Sequence, residues 1–92
     1  MSVTVKIPTP LRPIVGGKNE LSLDGNTVGD VLRSIESQHK GFAERVLDGP
    51  SVKRFINVYV NDENIRDHKD LDTPVKSGDT ISILPSIAGG LI

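Results

Sequence analysis

The sequence has no cysteine and no tryptophan, and its only aromatic residues are Phe42, Phe55 and Tyr59. Without cysteine there is no disulfide framework, no thiolate metal site and no cysteine nucleophile. Charge of one sign is also lacking. Eleven basic residues face twelve acidic ones for a net charge of −1, so no basic excess exists to hold a phosphate backbone or an anionic lipid surface. No apolar run approaches the ~20 residues that a membrane-spanning helix needs. The opening Met1-Ser2-Val3-Thr4-Val5 alternates and carries no signal-peptide core. These absences lead to the expectation of a soluble, cytoplasmic protein with neither nucleic acid nor membrane as partner. Its 92 residues suffice for one domain with one modest core.

What is present is a regular succession of elements. Val3, Val5 and Ile7 alternate with Ser2, Thr4 and Lys6 as a half-buried strand does, and Pro8 and Pro10 end it. Residues 9–19, with Pro10, Pro13 and Gly16-Gly17, read as an irregular connection. Glu20-Leu21-Ser22-Leu23 alternates again as a strand returning beside the first. Thr27 suits a helix N-cap, and Val28, Val31, Leu32 and Ile35 recur at helical spacing until Gly41 stops the helix. A further helical turn buries Phe42, Val46 and Leu47, and residues 48–51 form a loop.

Residues 54–61 are the strongest strand, with Ile56, Val58 and Val60 on one face and Phe55, Asn57 and Tyr59 on the other. A turn at 61–64 leads to a short return strand at Ile65-Arg66. Leu71, Pro74 and Val75 pack beneath a loop, and Thr80–Leu84 is the last strand, closed by Pro85. Two hairpins flanking one helix predict an α+β domain over residues 1–84. It has a mixed four- to five-stranded sheet with one main helix packed across one face, the β-grasp order. Residues 85–92 are then a flexible C-terminal tail ending in Gly-Gly plus a two-residue extension.

Most candidate chemistry fails on spacing. Gly16-Gly17-Lys18 evokes a phosphate loop, but the required first glycine falls at Arg12 and the magnesium-binding hydroxyl at Asn19. Asp62, Asn64, Asp67, His68, Asp70 and Asp72 crowd one loop, yet the central glycine and closing glutamate of a calcium loop are missing. His39 and His68 stand in separate segments, and no Gly-x-Ser-x-Gly elbow exists. We therefore expect no catalytic residues, no metal and no bound cofactor.

Two features remain. Phe55 and Tyr59, with Leu84 on the last strand, fall on the outward face. They are either covered by loops or form an apolar patch for a partner. The tail Ser86-Ile87-Ala88-Gly89-Gly90-Leu91-Ile92 carries no charge. It is either a frayed terminus or a segment whose glycines, lacking Cβ, can enter a narrow channel.

The opening Val3–Thr9, Leu11-Arg12-Pro13, Gly16-Gly17, the strand 54–63, Gly78-Asp79 and Ile83–Gly90 together resemble the ThiS/MoaD family of ubiquitin-like sulfur carriers. The resemblance implies a ubiquitin-like β-grasp carrier that is not an enzyme. An E1-like adenylyltransferase/sulfurtransferase would use ATP to adenylate the Gly90 carboxylate and exchange AMP for sulfur, leaving a thiocarboxylate. In the members that serve cysteine biosynthesis, the acceptor is a PLP-dependent cysteine synthase, and a metalloprotease later frees cysteine. Ile87, Ala88, Gly89 and Gly90 would thread into partner active sites while Phe55, Tyr59 and Leu84 dock. Because Leu91 and Ile92 follow Gly90, the chain as written resembles a precursor, with a JAMM-type metalloprotease cutting between Gly90 and Leu91. A ubiquitin-like protein modifier, a molybdopterin-synthase small subunit and a plain interaction module stay open as alternatives.

Overall fold

The computed structural model describes residues 2–49 and 51–85. Strand β1 (Val3–Lys6) pairs antiparallel with β2 (Glu20–Leu23), joined by a 3-10 segment over Thr9–Val15. Helix α1 (Val28–Gln38) and the short α2 (Phe42–Val46) follow. A two-residue ladder, β3 (Leu47–Asp48) with β4 (Ser51–Val52), precedes β5 (Ile56–Val60), β6 (Glu63–Asn64) and β7 (Thr80–Pro85). The main sheet runs in the order β2-β1-β7-β5-β6. The β1–β7 contact is parallel and the other three are antiparallel.

Period-two alternation divides the sheet into two faces. Val3, Val5, Leu21, Leu23, Ile56, Val58, Ile81 and Ile83 point inward and are buried. Val28, Val31, Leu32 and Ile35 meet them from α1, each with no exposed surface. At roughly 25 cal/mol per Å² of apolar area, side chains of this size contribute about 1.5–3 kcal/mol each when fully buried. Phe42, also fully buried, closes one end of this core from α2.

The helix boundaries have local causes. The Thr27 hydroxyl accepts a hydrogen bond from the Asp30 amide at 3.1 Å, and the Asp30 carboxylate accepts one from the Asn26 amide at 3.3 Å. The reciprocal pair satisfies two donors that would otherwise be orphaned at the first turn. At the far end the chain reverses through Gly41, whose φ of 99° is disfavoured for residues with a Cβ. The Glu36 carboxylate spans that reversal, accepting from the Gly41 amide at 3.1 Å and the Ala43 amide at 2.8 Å. It thereby caps α2 with a side chain from α1.

Several expectations are corrected. Residues 9–19 are not wholly irregular: Thr9–Val15 form a 3-10 helix that buries Leu11 and Val15. Proline at its start and within it is tolerated because so short a helix has few amide bonds to lose. The return strand is Glu63–Asn64, whereas Ile65–Asp67 turns as a 3-10 helix. Asn64 decides this, since its side chain accepts the Arg66 amide at 2.9 Å and starts the turn. Residues 48–51 include the outer part of the β3–β4 ladder and are not only loop. Leu47 is half-buried, and at residues 71–75 the buried set is Leu71, Thr73 and Val75, with Pro74 exposed.

Replacing Glu36 tests the α1–α2 junction. Glu36→Ala leaves two amides without their charged acceptor and should cost about 1–3 kcal/mol in a urea titration. Glu36→Gln keeps an oxygen acceptor and should lose less than Glu36→Ala.

Candidate functional site

The outer face of the sheet is not covered by a helix, and its residues are small or polar: Thr4, Ser22, Ser82 and Asn57, with Lys6 and Glu20 near one edge. Two large apolar side chains break that pattern. Leu84 is 51% exposed and Phe55 is 54% exposed. Tyr59 lies on the same face but is half-buried. Of the three docking residues expected from the sequence, Tyr59 and Leu84 share the outer sheet face with differing access. Phe55 is not in the strand as expected. It lies in a tight turn before β5, closed by the Ile56 amide donating to the Lys53 carbonyl at 3.0 Å. Tyr59, Asp62, Ser82 and Leu84 line a shallow depression of about 190 Å³ between β5 and β7.

Strand β7 ends in the middle of the sheet's width. The Asn61 amide donates to the Thr80 carbonyl at 2.9 Å, so by alternation Ser82 and Leu84 also face β5 as hydrogen-bonding pairs. Pro85, opposite Ile56, then occupies a non-hydrogen-bonding position, where its missing N–H costs the β5 ladder nothing. Ile87, Ala88, Gly89, Gly90 and Leu91, the tail and processing residues, lie outside the described residues.

The opposite end of β7 is pinned. Asn61 sits at a φ of 49°, a conformation asparagine tolerates better than most residues. Its side-chain amide donates to Asp79 Oδ1 at 2.9 Å, and its carbonyl oxygen accepts from the Thr80 amide at 2.9 Å. Asp79 Oδ2 accepts from the Lys76 amide at 2.9 Å. The hydrogen bond from Asn61 and the one from the Lys76 backbone hold the Asp79 carboxyl below the usual carboxylate range. Sequence reading missed this clamp, because only the turn residues Asn61-Asp62 and Gly78-Asp79 hinted at it.

Gly16 and Gly17 have φ values of 71° and 82° and serve the turn after the 3-10 helix. His68 Nε2 lies 3.0 Å from Glu63 Oε1 at the rim of a separate cavity of about 450 Å³, which Val60, Lys69, Thr73 and Pro74 also line. Among the described residues no three His, Asp or Glu side chains converge as a metal site requires. Among the described residues no helix is long and apolar enough to cross a membrane.

A family model described as the ThiS family matches residues 5–90. The chain belongs to the ThiS family. The ThiS-family match stops at Gly90 and leaves Leu91-Ile92 beyond it. The sulfur carrier protein CysO of Mycobacterium tuberculosis is 45% identical over 93 residues, covering 98% of this chain and all of the relative. Small archaeal modifier protein 3 of Haloferax volcanii is 34% identical, again over 98% of this chain and the whole relative. A chain in the crystal structure of the Amycolatopsis orientalis BexX/CysO complex superposes with a TM-score of 0.91 at 46% identity, covering 96% of this chain and 99% of that one. The ubiquitin-like β-grasp architecture expected from the order of elements is therefore shown, and this ThiS-family chain is a sulfur-carrier-type protein.

The Asp79 clamp has a pH signature. A carboxyl whose folded pKa lies below its unfolded value stabilises the fold above the unfolded value and loses that contribution as pH falls through the folded one. Asp79→Asn should melt lower than wild type at pH 7, and the gap should close from about pH 4 downward. Thermal melts across pH 2–7 read both limbs.

Proposed function

We propose that the chain carries sulfur as a thiocarboxylate on Gly90, after removal of Leu91-Ile92, and delivers it to cysteine biosynthesis. The observation that carries this reading is the family match ending at Gly90, joined to 45% identity with CysO over 98% of the chain. A carboxylate is a poor electrophile. In the proposed sequence a metalloprotease of the JAMM type hydrolyses the Gly90–Leu91 amide and exposes the Gly90 carboxylate. An E1-like partner then transfers AMP to it from ATP, releasing pyrophosphate. Sulfide, or a persulfide donor with a reductant, attacks the acyl carbon and expels AMP, leaving the anionic thiocarboxylate. That sulfur replaces the activating group at the β-carbon of an activated serine derivative held by a PLP-dependent partner; the C–O bond breaks, the activating group departs with the serine oxygen, and a thioester to Gly90 is left. The carrier supplies no catalytic group; it supplies the carboxylate and the surface that aligns it.

That surface is the outer sheet face. Phe55 and Leu84 offer apolar anchors next to the end of β7, with Tyr59 behind them. Gly89 and Gly90, without Cβ atoms, suit a channel too narrow for larger side chains.

A second reading, covalent attachment to lysines of other proteins, is favoured by the likeness to small archaeal modifier protein 3. It uses the same activated carboxyl with an amine as the nucleophile.

Intact mass of the protein from its native cell under sulfur demand decides the first reading. Loss of Leu91-Ile92 with exchange of one oxygen for sulfur is expected; an uncut, unmodified chain overturns it. Higher-mass adducts that resist thiol reagents would favour the second. Phe55→Ser and Leu84→Ser should each raise the carrier KM of the adenylating enzyme about five- to ten-fold, with the melting temperature little changed.

A further inference from the structure

Arg66 is exposed, yet its guanidinium is held in place. Nη1 donates to Asn57 Oδ1 at 2.8 Å, and Nη2 donates to the Lys53 carbonyl at 2.9 Å. Its backbone is equally fixed: the Asn64 side chain accepts the Arg66 amide, and the neighbouring Ile65 is buried. Asn57 is the residue directly across from Leu84, and Lys53 opens the turn that presents Phe55. The guanidinium therefore ties the turn that carries Phe55 to the β5 residue that lies opposite Leu84.

Both acceptors are neutral, so the positive charge is not cancelled. Two of the five guanidinium N–H groups are used among the described residues, and the other three meet no described acceptor. Lys53 and Arg54 are exposed on the adjoining turn. Lys53, Arg54 and Arg66 form no ion pair with a described residue, including Asp67 next in sequence. Beside β5 on this face the acidic group is Asp62, which lines the depression with Tyr59, Ser82 and Leu84, while Lys6 and Glu20 lie further out on β1 and β2. The face is consequently polarised along β5, cationic where β7 ends and anionic at the β5–β6 turn.

A structural bridge between two neutral oxygens needs no charge. A cation whose rotamer is already fixed loses little entropy on binding, and the planar fork of arginine matches a carboxylate through two parallel hydrogen bonds. We propose that Arg66 is a carboxylate-reading anchor of the docking face. The partner that takes the tail seats Phe55 and Leu84 in an apolar socket and sets an aspartate or glutamate against the free edge of Arg66, within an acidic rim that also meets Lys53 and Arg54. The inference rests on the docking role assigned to this face under Proposed function.

The test uses the chain ending at Gly90 and the E1-like adenylating enzyme of the same cell, with ATP–pyrophosphate exchange followed against carrier concentration. Arg66→Gln should raise the carrier KM about ten-fold, as expected for losing a hydrogen-bonded charge pair, with kcat within about two-fold. Arg66→Glu should raise it further. The wild-type KM should climb between about 50 and 300 mM NaCl, and the slope should flatten in Arg66→Gln, a change that mere loosening of the turn would not produce. Should both Arg66 variants fold poorly, the Lys53→Gln, Arg54→Gln double variant and the wild-type salt slope carry the test. A salt-indifferent wild-type KM, or Arg66→Gln and Arg66→Glu variants that fold and keep the wild-type KM, overturns the inference alone. Failure of the unaltered chain to support exchange overturns the carrier reading itself, and this inference with it.

Discussion

The parallel pairing of β1 with β7 is the contact on which the rest of the molecule depends. Thr4, Val5 and Lys6 lie against Thr80, Ile81 and Ser82, and the Gly78 amide reaches back to the Ser2 carbonyl at 3.1 Å. The pairing joins the two ends of the domain, so it closes the longest loop available and must be offset by burial on both sides. That burial comes from Val3, Val5, Ile81 and Ile83 meeting α1. Hairpin β1–β2 and strands β5 and β6 can then add outward from the central pair. Thr80–Ser82 are flanked by both β1 and β5, and Ile83–Pro85 run on against β5 alone, so the last described residue, Pro85, is positioned by its pairing with Ile56.

How much of this was legible in the sequence depended on whether one residue type settled a local choice. The alternation in 3–7, 20–23 and 80–84 placed three strands, because a half-buried strand leaves no freedom in which face is apolar. Thr27 and Gly41 bounded α1 for reasons of capping and φ that hold in isolation. The 3-10 segment over Thr9–Val15 was not legible. Its buried Leu11 and Val15 follow from the shape of the core they plug, while its prolines and glycines advertise only a turn. The displaced return strand has a similar cause, since Asn64 can extend a ladder or cap a turn, and tertiary packing of Ile65 chose the cap.

The candidate site was legible in part. Phe55, Tyr59 and Leu84 were found by asking which large apolar side chains had no place inside, and Phe55 and Leu84 are the exposed pair in the structure. Their setting was hidden. Arg66 is separated from Asn57 by nine residues and from Lys53 by thirteen, and no periodicity links the three. The clamp from Asn61 to Asp79 spans eighteen residues and depends on the register of β5 against β7. Such polar bridges report tertiary geometry, which a single sequence encodes only through everything else that folds.

On the proposed function, a carrier that serves more than one partner faces a constraint that this surface would meet. Each partner must hold the tail long enough for chemistry and then let go, so the interface cannot rely on a large apolar area. Affinity differences among related complexes lie mainly in dissociation, whereas charge placed at the rim acts mainly on association and register. Two exposed apolar side chains limit the time of residence. A fixed cation at one end of the face and a carboxylate at the other make the approach directional without adding much area. Direction matters because a narrow channel accepts a tail from one orientation only. On the proposal that Arg66 reads a partner carboxylate, a cationic end placed where β7 stops would align the domain on the partner beside the last described residue of that strand. In that proposal the small core has a mechanical role, holding Arg66, Phe55 and Leu84 near the end of β7.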